Sequence, residues 1–134
     1  MAKESGIGMT VAVDDSGEVA RSIGPDLTNL TFSTPREEQD VTGITSSARE
    51  RLLLLADFSV TLNGVFNDAS DQSHDVFKDV SSTSVTRTVT IAHSGNTLPN
   101  QVLFTDYSFT RPQNGELTFT APGNLNSTVV PTWA

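Results

Sequence analysis

The chain has no cysteine, which excludes a disulfide framework, a thiolate metal site and a cysteine nucleophile. Such a composition suits a protein made in a reducing compartment. Histidine is nearly as scarce. Only His74 and His93 occur, each beside a polar turn and neither within a nucleophile motif such as G-x-S-x-G, so a catalytic triad is not expected. Long apolar runs are missing too. The longest, residues 52–56, falls far short of the ~20 residues that span a bilayer. The opening "AKESGIGMTVAVDDSGE" has no extended apolar stretch, so no signal peptide is expected. Cations are few: eight Lys and Arg stand against sixteen Asp and Glu, for a net charge of -8. Affinity for nucleic acid comes largely from Lys and Arg displacing counterions, so gripping DNA is disfavoured, whereas letting DNA pass is not.

What is present points to pleated structure. The 134 residues fit one domain, 36% of them hydrophobic, with Thr, Ser, Val and Phe prominent. Residues 9–13 and 18–23, separated by "DDSGE", predict a hairpin or an arm that orders against a neighbour, so we divide the chain into 1–25 and a β domain over 26–134. "LTNLTFS" (27–33) alternates as a strand, and the charged "PREEQD" that follows predicts an exposed loop. Ser46 and Ser47 predict a short helical turn to about Arg51. The leucine run then fits period two. Leu52, Leu54, Ala56, Phe58, Val60 and Leu62 form one apolar face, and Leu53, Leu55, Asp57, Ser59, Thr61 and Asn63 form the other. This predicts a single strand over 53–62, ended by Asn63-Gly64, covered on both faces at its start. Ser73 predicts the cap of a short helix over 74–80 with Val76, Phe77 and Val80 inward. The last third predicts strands: Val85, Arg87, Val89 and Ile91 opposite Thr86, Thr88, Thr90 and Ala92, then 101–111, then 116–121 after the hairpin signal Asn114-Gly115. Residues 122–134 read as an irregular or edge-binding tail carrying the only tryptophan. The expected fold is mainly β, a sandwich or partly rolled barrel flanked by one short α-helix.

No chemistry-bearing constellation emerges. Asp68, Asp71, His74 and Asp75 are oxygen-rich but lack the EF-hand pattern and its glycine, so a solvated loop is the reading. Asp14, Asp15 and Glu18 read as a turn. Glu37, Glu38 and Asp40 beside Arg36 read as a solvated or interfacial charge cluster and not as an acid–base pair. Neither a metal nor a cofactor is expected. The surplus lies in surface: Leu52 to Leu55 want cover that one small domain does not supply, and sheet edges and arms are ready association surfaces.

The order and spacing of several segments resemble the major tail proteins, or tail tube proteins, of long-tailed, non-contractile bacteriophages. "DLTNLTFSTPREEQDVTGI" and "ARERLLLLADFSVTLNGVFND" resemble that family's early core. "SHDVFKDV" resembles its helix, "TVTI" its next strand, "LFTDYSFTRPQNGELTFTAPG" its closing hairpin and "PTWA" its tail. The resemblance covers residues 26–134. It implies two packed sheets plus a helix, six copies in a ring, and rings stacked into a hollow tube in the virion tail through which DNA leaves. It also implies assembly in the bacterial host cytoplasm, alongside tape-measure, tail-tip and tail-terminator proteins, with no membrane and no enzymatic activity. Under it, Asp57, Ser59, Thr61 and Asn63, or else Thr86, Thr88 and Thr90, are candidates for the lumen wall. Arg36, Glu37, Glu38, Asp40, Leu53, Leu55 and Trp133 are candidates for contacts between subunits or rings. The alternatives are a terminator or tube protein of a related injection machine, and a monomeric β-sandwich binding module using Trp133 and Tyr107.

Overall fold

The computed structural model describes residues 3–134. Ten strands and one short helix follow one another: β1 (Thr10–Asp14), β2 (Ala20–Ser22), β3 (Leu27–Ser33), β4 (Arg36–Asp40), β5 (Arg51–Ala56), β6 (Ser59–Val65), α1 (Ser73–Phe77), β7 (Arg87–His93), β8 (Asn96–Phe104), β9 (Ser108–Thr110) and β10 (Thr118–Leu125). Eight strands make one antiparallel sheet in the order β2-β1-β7-β8-β10-β6-β3, with β9 beside the start of β10. β4 and β5 form a separate two-stranded ribbon.

The protein is thus mainly β with one short helix, as its alternation of apolar and polar residues implies. The sheet rolls without closing. Its two outer strands, β2 and β3, are joined by a single 3₁₀ turn at Gly24–Asp26, and Ile23 N–H donates to the Val11 carbonyl at 3.2 Å. Rolling turns one face of every long strand inward. Val11 and Val13, Val60 and Leu62, Val89 and Ile91, Leu98 and Val102, and Phe119 and Ala121 meet there, and Val76 and Phe77 of α1 plug one end. β1 and β2 form the predicted hairpin, and β1 also pairs with β7, so Val11 and Val13 share this core.

Two glycines read as breakers lie inside strands because neighbours come too close for a side chain. A Cβ on Gly64 would fall within 3 Å of the Asp26 carbonyl oxygen and at 2.9 Å from the Phe119 ring. On Gly123 it would stand 2.5 Å from Val102 Cγ1. The segment read as an irregular tail therefore enters the middle of the sheet as the second half of β10. Pro122 is tolerated because its carbonyl accepts from Thr105 at 3.2 Å, which aims its nitrogen at the gap between β9 and β8.

Other expectations change. "REEQD" is strand β4 and not a loop. No helical turn precedes Arg51; residues 44–48 hold only turns and bends. The single strand expected over 53–62 is two, broken at Asp57-Phe58, and the second continues past Gly64 to Val65. Leu52 and Leu54 are not core residues: they are 54% and 39% exposed. The core face begins only at Phe58. The region expected as one strand over 101–111 is the end of β8, a kink, and β9. Ser73 does not cap the helix, which ends at Phe77 and not at Val80. Ser73 is buried, and its N–H donates to the Asp26 carboxylate at 3.1 Å. The other oxygen of that carboxylate accepts from Asn67 Nδ2 at 2.8 Å, so a buried aspartate ties the 3₁₀ turn to the loop and helix beyond β6.

Candidate functional site

Two surfaces stand out. The first is the ribbon. β3 runs on into β4, and β5 into β6: Ser33 pairs with Ser59, Asp57 N–H donates to the Pro35 carbonyl at 2.9 Å, and Arg36 pairs with Ala56. The β4–β5 ladder therefore extends the β3–β6 ladder out of the body, ending in the segment 41–50. Paired residues in an antiparallel ladder share a face. Glu38 lies beside Leu53 on one face and Gln39 beside Leu52 on the other. Leucines thus occupy both faces, with Leu53 61% and Leu55 80% exposed. Among the described residues both faces are largely open, Leu54 being the most covered of the four leucines.

The polar candidates on the ribbon hold its backbone together. Arg36 Nε donates to the Leu54 carbonyl at 2.9 Å, Glu38 pairs with Arg51 at 3.4 Å, and Asp40 pairs with Arg49 at 2.7 Å. Bonds from the Thr42 hydroxyl and backbone N–H, helped by Arg49, hold the Asp40 carboxyl below the usual carboxylate range. Glu37 is exposed on the same strand. Asp57 stands at the joint between ribbon and body, where its carboxylate accepts from Phe58 N–H at 2.8 Å.

The second surface is the outer face of β6 with its two neighbours. Ser59, Thr61 and Asn63 alternate with the buried Val60 and Leu62. Register places Ser33, Thr31 and Asn29 of β3 on one side of them and Asn124, Pro122 and Thr120 of β10 on the other. These nine positions are small or polar, and none carries a charge. Several satisfy one another: Ser33 and Ser59 hydroxyls lie 3.0 Å apart, and Thr120 Oγ1 donates to Asn63 Oδ1 at 2.8 Å.

Thr88 and Thr90 of β7, with Thr86 just before it, lie elsewhere on the sheet, separated from β6 by β8 and β10. Gln101 Nε2 donates to Thr88 Oγ1 at 2.7 Å, and Asn126 Nδ2 donates to Thr86 Oγ1 at 3.0 Å. Thr90 is paired with Pro99. The C-terminal segment runs beside this region: Ala134 and Thr97 exchange two backbone hydrogen bonds, at 2.8 and 3.0 Å. Trp133 is half-exposed, its ring 6.1 Å from Phe32. Thr86 and Thr88 are therefore engaged by Asn126 and Gln101, as Ser59 and Asn63 of the β6 row are by Ser33 and Thr120.

The ring partner of Trp133 is Phe32, whereas Tyr107 stands among different rings. It packs against Phe77, Phe109 and Phe119, and its hydroxyl lies 3.2 Å from His74 Nδ1. Burial, with the Asp26 charge adding, pushes its phenol up to about 12 from 10.0. The unfolded chain then loses this proton at lower pH than the folded one. The stability contributed by the neutral phenol is complete below pH 10 and is lost as pH rises toward 12. As Tyr107 is the only tyrosine, an ultraviolet titration of the folded protein is expected to give one late transition near 12. A midpoint near 10 would contradict the burial.

Sequence reading missed Asp26, whose place between Pro25 and Leu27 gave no sign of burial. It also missed Arg87 as a buried cation, having marked only its inward parity. The Arg87 guanidinium donates to the carbonyls of Val76 and Asp14, linking α1, β1 and β7. Burial lowers its proton affinity, and Asp79, Asp15 and Asp14 oppose that change.

No family model and no curated protein matches the chain. Solved structures do. One is the tail of an empty gene transfer agent particle computed with helical refinement and C6 symmetry; it superposes with a TM-score of 0.78 at 19% identity, covering 97% of this chain and 99% of that one. Another is the virion of the native gene transfer agent particle, with a TM-score of 0.77 at 18% identity and the same coverages. End to end, the chain has the fold of a protein in a gene transfer agent tail.

Proposed function

We propose that this chain is the structural subunit of a phage-type tail tube, six copies forming a ring and rings stacking into a hollow tube that DNA traverses on ejection. The observation that carries the reading is the near-complete superposition on a chain of a C6-symmetric tail. The ribbon supports it independently, because leucines on both faces of a projecting ladder call for cover by other copies. Arg36, Glu37, Glu38, Asp40, Leu53 and Leu55 are then contact residues, with Trp133 a further contact from the tail. We assign the lumen wall to the uncharged row Ser59, Thr61 and Asn63 with its β3 and β10 neighbours, bordered by Asp57. A surface without Lys or Arg releases no counterions when it meets a phosphate backbone, so DNA is held weakly and slides. Thr86, Thr88 and Thr90 are the alternative lumen candidates. The role is non-enzymatic and needs no cofactor. Its partners are further copies and the tape-measure, tail-tip and terminator proteins, with assembly in the host cytoplasm and residence in the virion.

Negative-stain electron microscopy of the purified protein, alone and with tail-tip proteins, tests this. Rings with a central hole, or hollow tubes, are expected, with light scattering that rises with concentration. A chain that stays monomeric at every concentration and in the presence of tail-tip proteins would sink the proposal.

A further inference from the structure

Past β10 the chain stays beside β8 but loses its register. Leu125 pairs with Val102, and Asn126 N–H donates to the Gln101 carbonyl at 2.9 Å. An unbroken antiparallel ladder would next set Ser127 opposite Asn100, Val129 opposite Leu98 and Val130 opposite Thr97. Ala134 takes that last place instead, bonded to Thr97 in both directions, so four residues too many lie between the two anchors. The surplus stands off the edge of β8 at a cavity of about 240 Å³, lined by Thr88, Pro99, Asn100, Gln101, Ser127 and Val129.

Two defects accompany the stand-off. Asn100 lies on the inward face between Leu98 and Val102 and is 6% exposed, yet its Nδ2 has no hydrogen-bond partner among the described residues. Val129 is 72% exposed. An unbroken ladder would repair both. Ser127 and Val129 continue the inward alternation of Phe119, Ala121 and Gly123, and paired residues share a face. The Ser127 hydroxyl accepts from Val129 N–H at 3.0 Å as it stands; in the unbroken ladder it would face Asn100 Nδ2, and Val129 would cover Leu98. The prolines fit as well. Thr97 and Gln101 turn their bonding groups away from β7, so by alternation Pro99 does too, and its carbonyl would accept from Thr128 N–H. Pro131 would fall opposite Asn96, at a position that makes no ladder bond. The bulged register has its own advantage, the Trp133 ring 6.1 Å from Phe32.

We propose that residues 127–134 switch between two registers on β8: the bulged one and an unbroken one in which Ser127 meets Asn100, Val129 enters the core and Trp133 leaves Phe32. Four is an even slip, so residues 130 and 134 face the same way and either can pair with Thr97. Closing the β8 edge is thereby coupled to releasing the only tryptophan. The switch belongs to the single subunit, whatever that subunit assembles into.

Engineered cysteines meet no native ones, and Trp133 reports alone. Thr97→Cys is combined with Ala134→Cys, which closes in the bulged register, or with Val130→Cys, which closes in the unbroken one. Bonded pairs in such a ladder stand about 5.5 Å apart at Cα, within disulfide reach. Each protein is equilibrated in dilute solution with glutathione buffers. Both are expected to form an intramolecular disulfide, and the Val130→Cys link is expected to red-shift Trp133 emission and open it to iodide quenching. Adding Val129→Asp is expected to weaken closure of the Val130→Cys pair at least about tenfold and to leave the Ala134→Cys pair unchanged, because residue 129 is buried only in the unbroken register. Failure of either pair to close, or a Val130→Cys link that leaves Trp133 emission unchanged, overturns the switch. So does a Val130→Cys pair that Val129→Asp does not selectively weaken, since a slack loop without a second ladder would behave that way.

Discussion

Replacing Gly64 by alanine is expected to lower the melting temperature by about 10 °C or more. The added Cβ would collide with the Asp26 carbonyl oxygen on one side and with the Phe119 ring at 2.9 and 3.0 Å on the other. A flexible side chain could swing aside, but neither obstacle is one. The carbonyl belongs to a 3₁₀ turn clamped through the Asp26 carboxylate by Asn67 and Ser73, and Phe119 is buried against Phe77 and Tyr107. Overpacking of this kind costs ~1–3 kcal/mol or more, a large share of the ~5–15 kcal/mol that holds such a domain folded. Gly6→Ala serves as the control, because nothing lies within 4 Å of its added Cβ. Thermal unfolding followed by circular dichroism decides the matter. A Gly64→Ala protein melting with the control would mean that β6 and the 3₁₀ turn do not approach as described.

The second large effect falls on assembly and spares the fold. The double substitution Leu53→Asp and Leu55→Asp is expected to leave secondary structure and melting temperature unchanged, since both side chains are mostly exposed in the subunit. Burial of a leucine is worth ~1.5–3 kcal/mol, and a buried unpaired carboxylate adds a further penalty. Losing two such contacts per subunit weakens association by at least about a hundredfold, at ~1.4 kcal/mol per tenfold. Sedimentation and electron microscopy would show dispersed subunits where the parent gives tubes. Tubes in normal yield would show that the ribbon leucines lie outside every contact.

Much of the body was legible because alternation records burial directly. Leu27–Ser33 is a strand at the bounds its sequence suggested, and Val60 with Leu62, like Arg87, Val89 and Ile91, point inward as their parity required. The break at Asp57-Phe58 was not legible, because period two runs unbroken from Leu52 to Leu62. Parity says which side a residue faces and nothing about which sheet it belongs to. β4 was missed for a related reason: both of its faces are exposed within the subunit, so its strand leaves no apolar trace. Pro122-Gly123 looked like a terminator because proline and glycine usually are. Here one meets a gap in the ladder and the other gives room for Val102. The uncharged row was half visible. Asn29, Thr31 and Ser33 alternate in β3, and Ser59, Thr61 and Asn63 in β6. Their junction with Thr120, Pro122 and Asn124 depends on register, which single strands do not encode.

The two-faced ribbon also sets how the protein behaves before it has partners. Each free subunit carries four leucines in water on an exposed projection, a short-range attraction between any two copies that touch. Each also carries a net charge of -8, a repulsion that reaches about a Debye length, ~8–10 Å at moderate salt. The opposition makes encounter rates sensitive to ionic strength while leaving the strength of a formed contact to the leucines. In the proposed tail tube, growth then has a threshold concentration that added salt lowers, and a template that presents enough surface at once outweighs the charge.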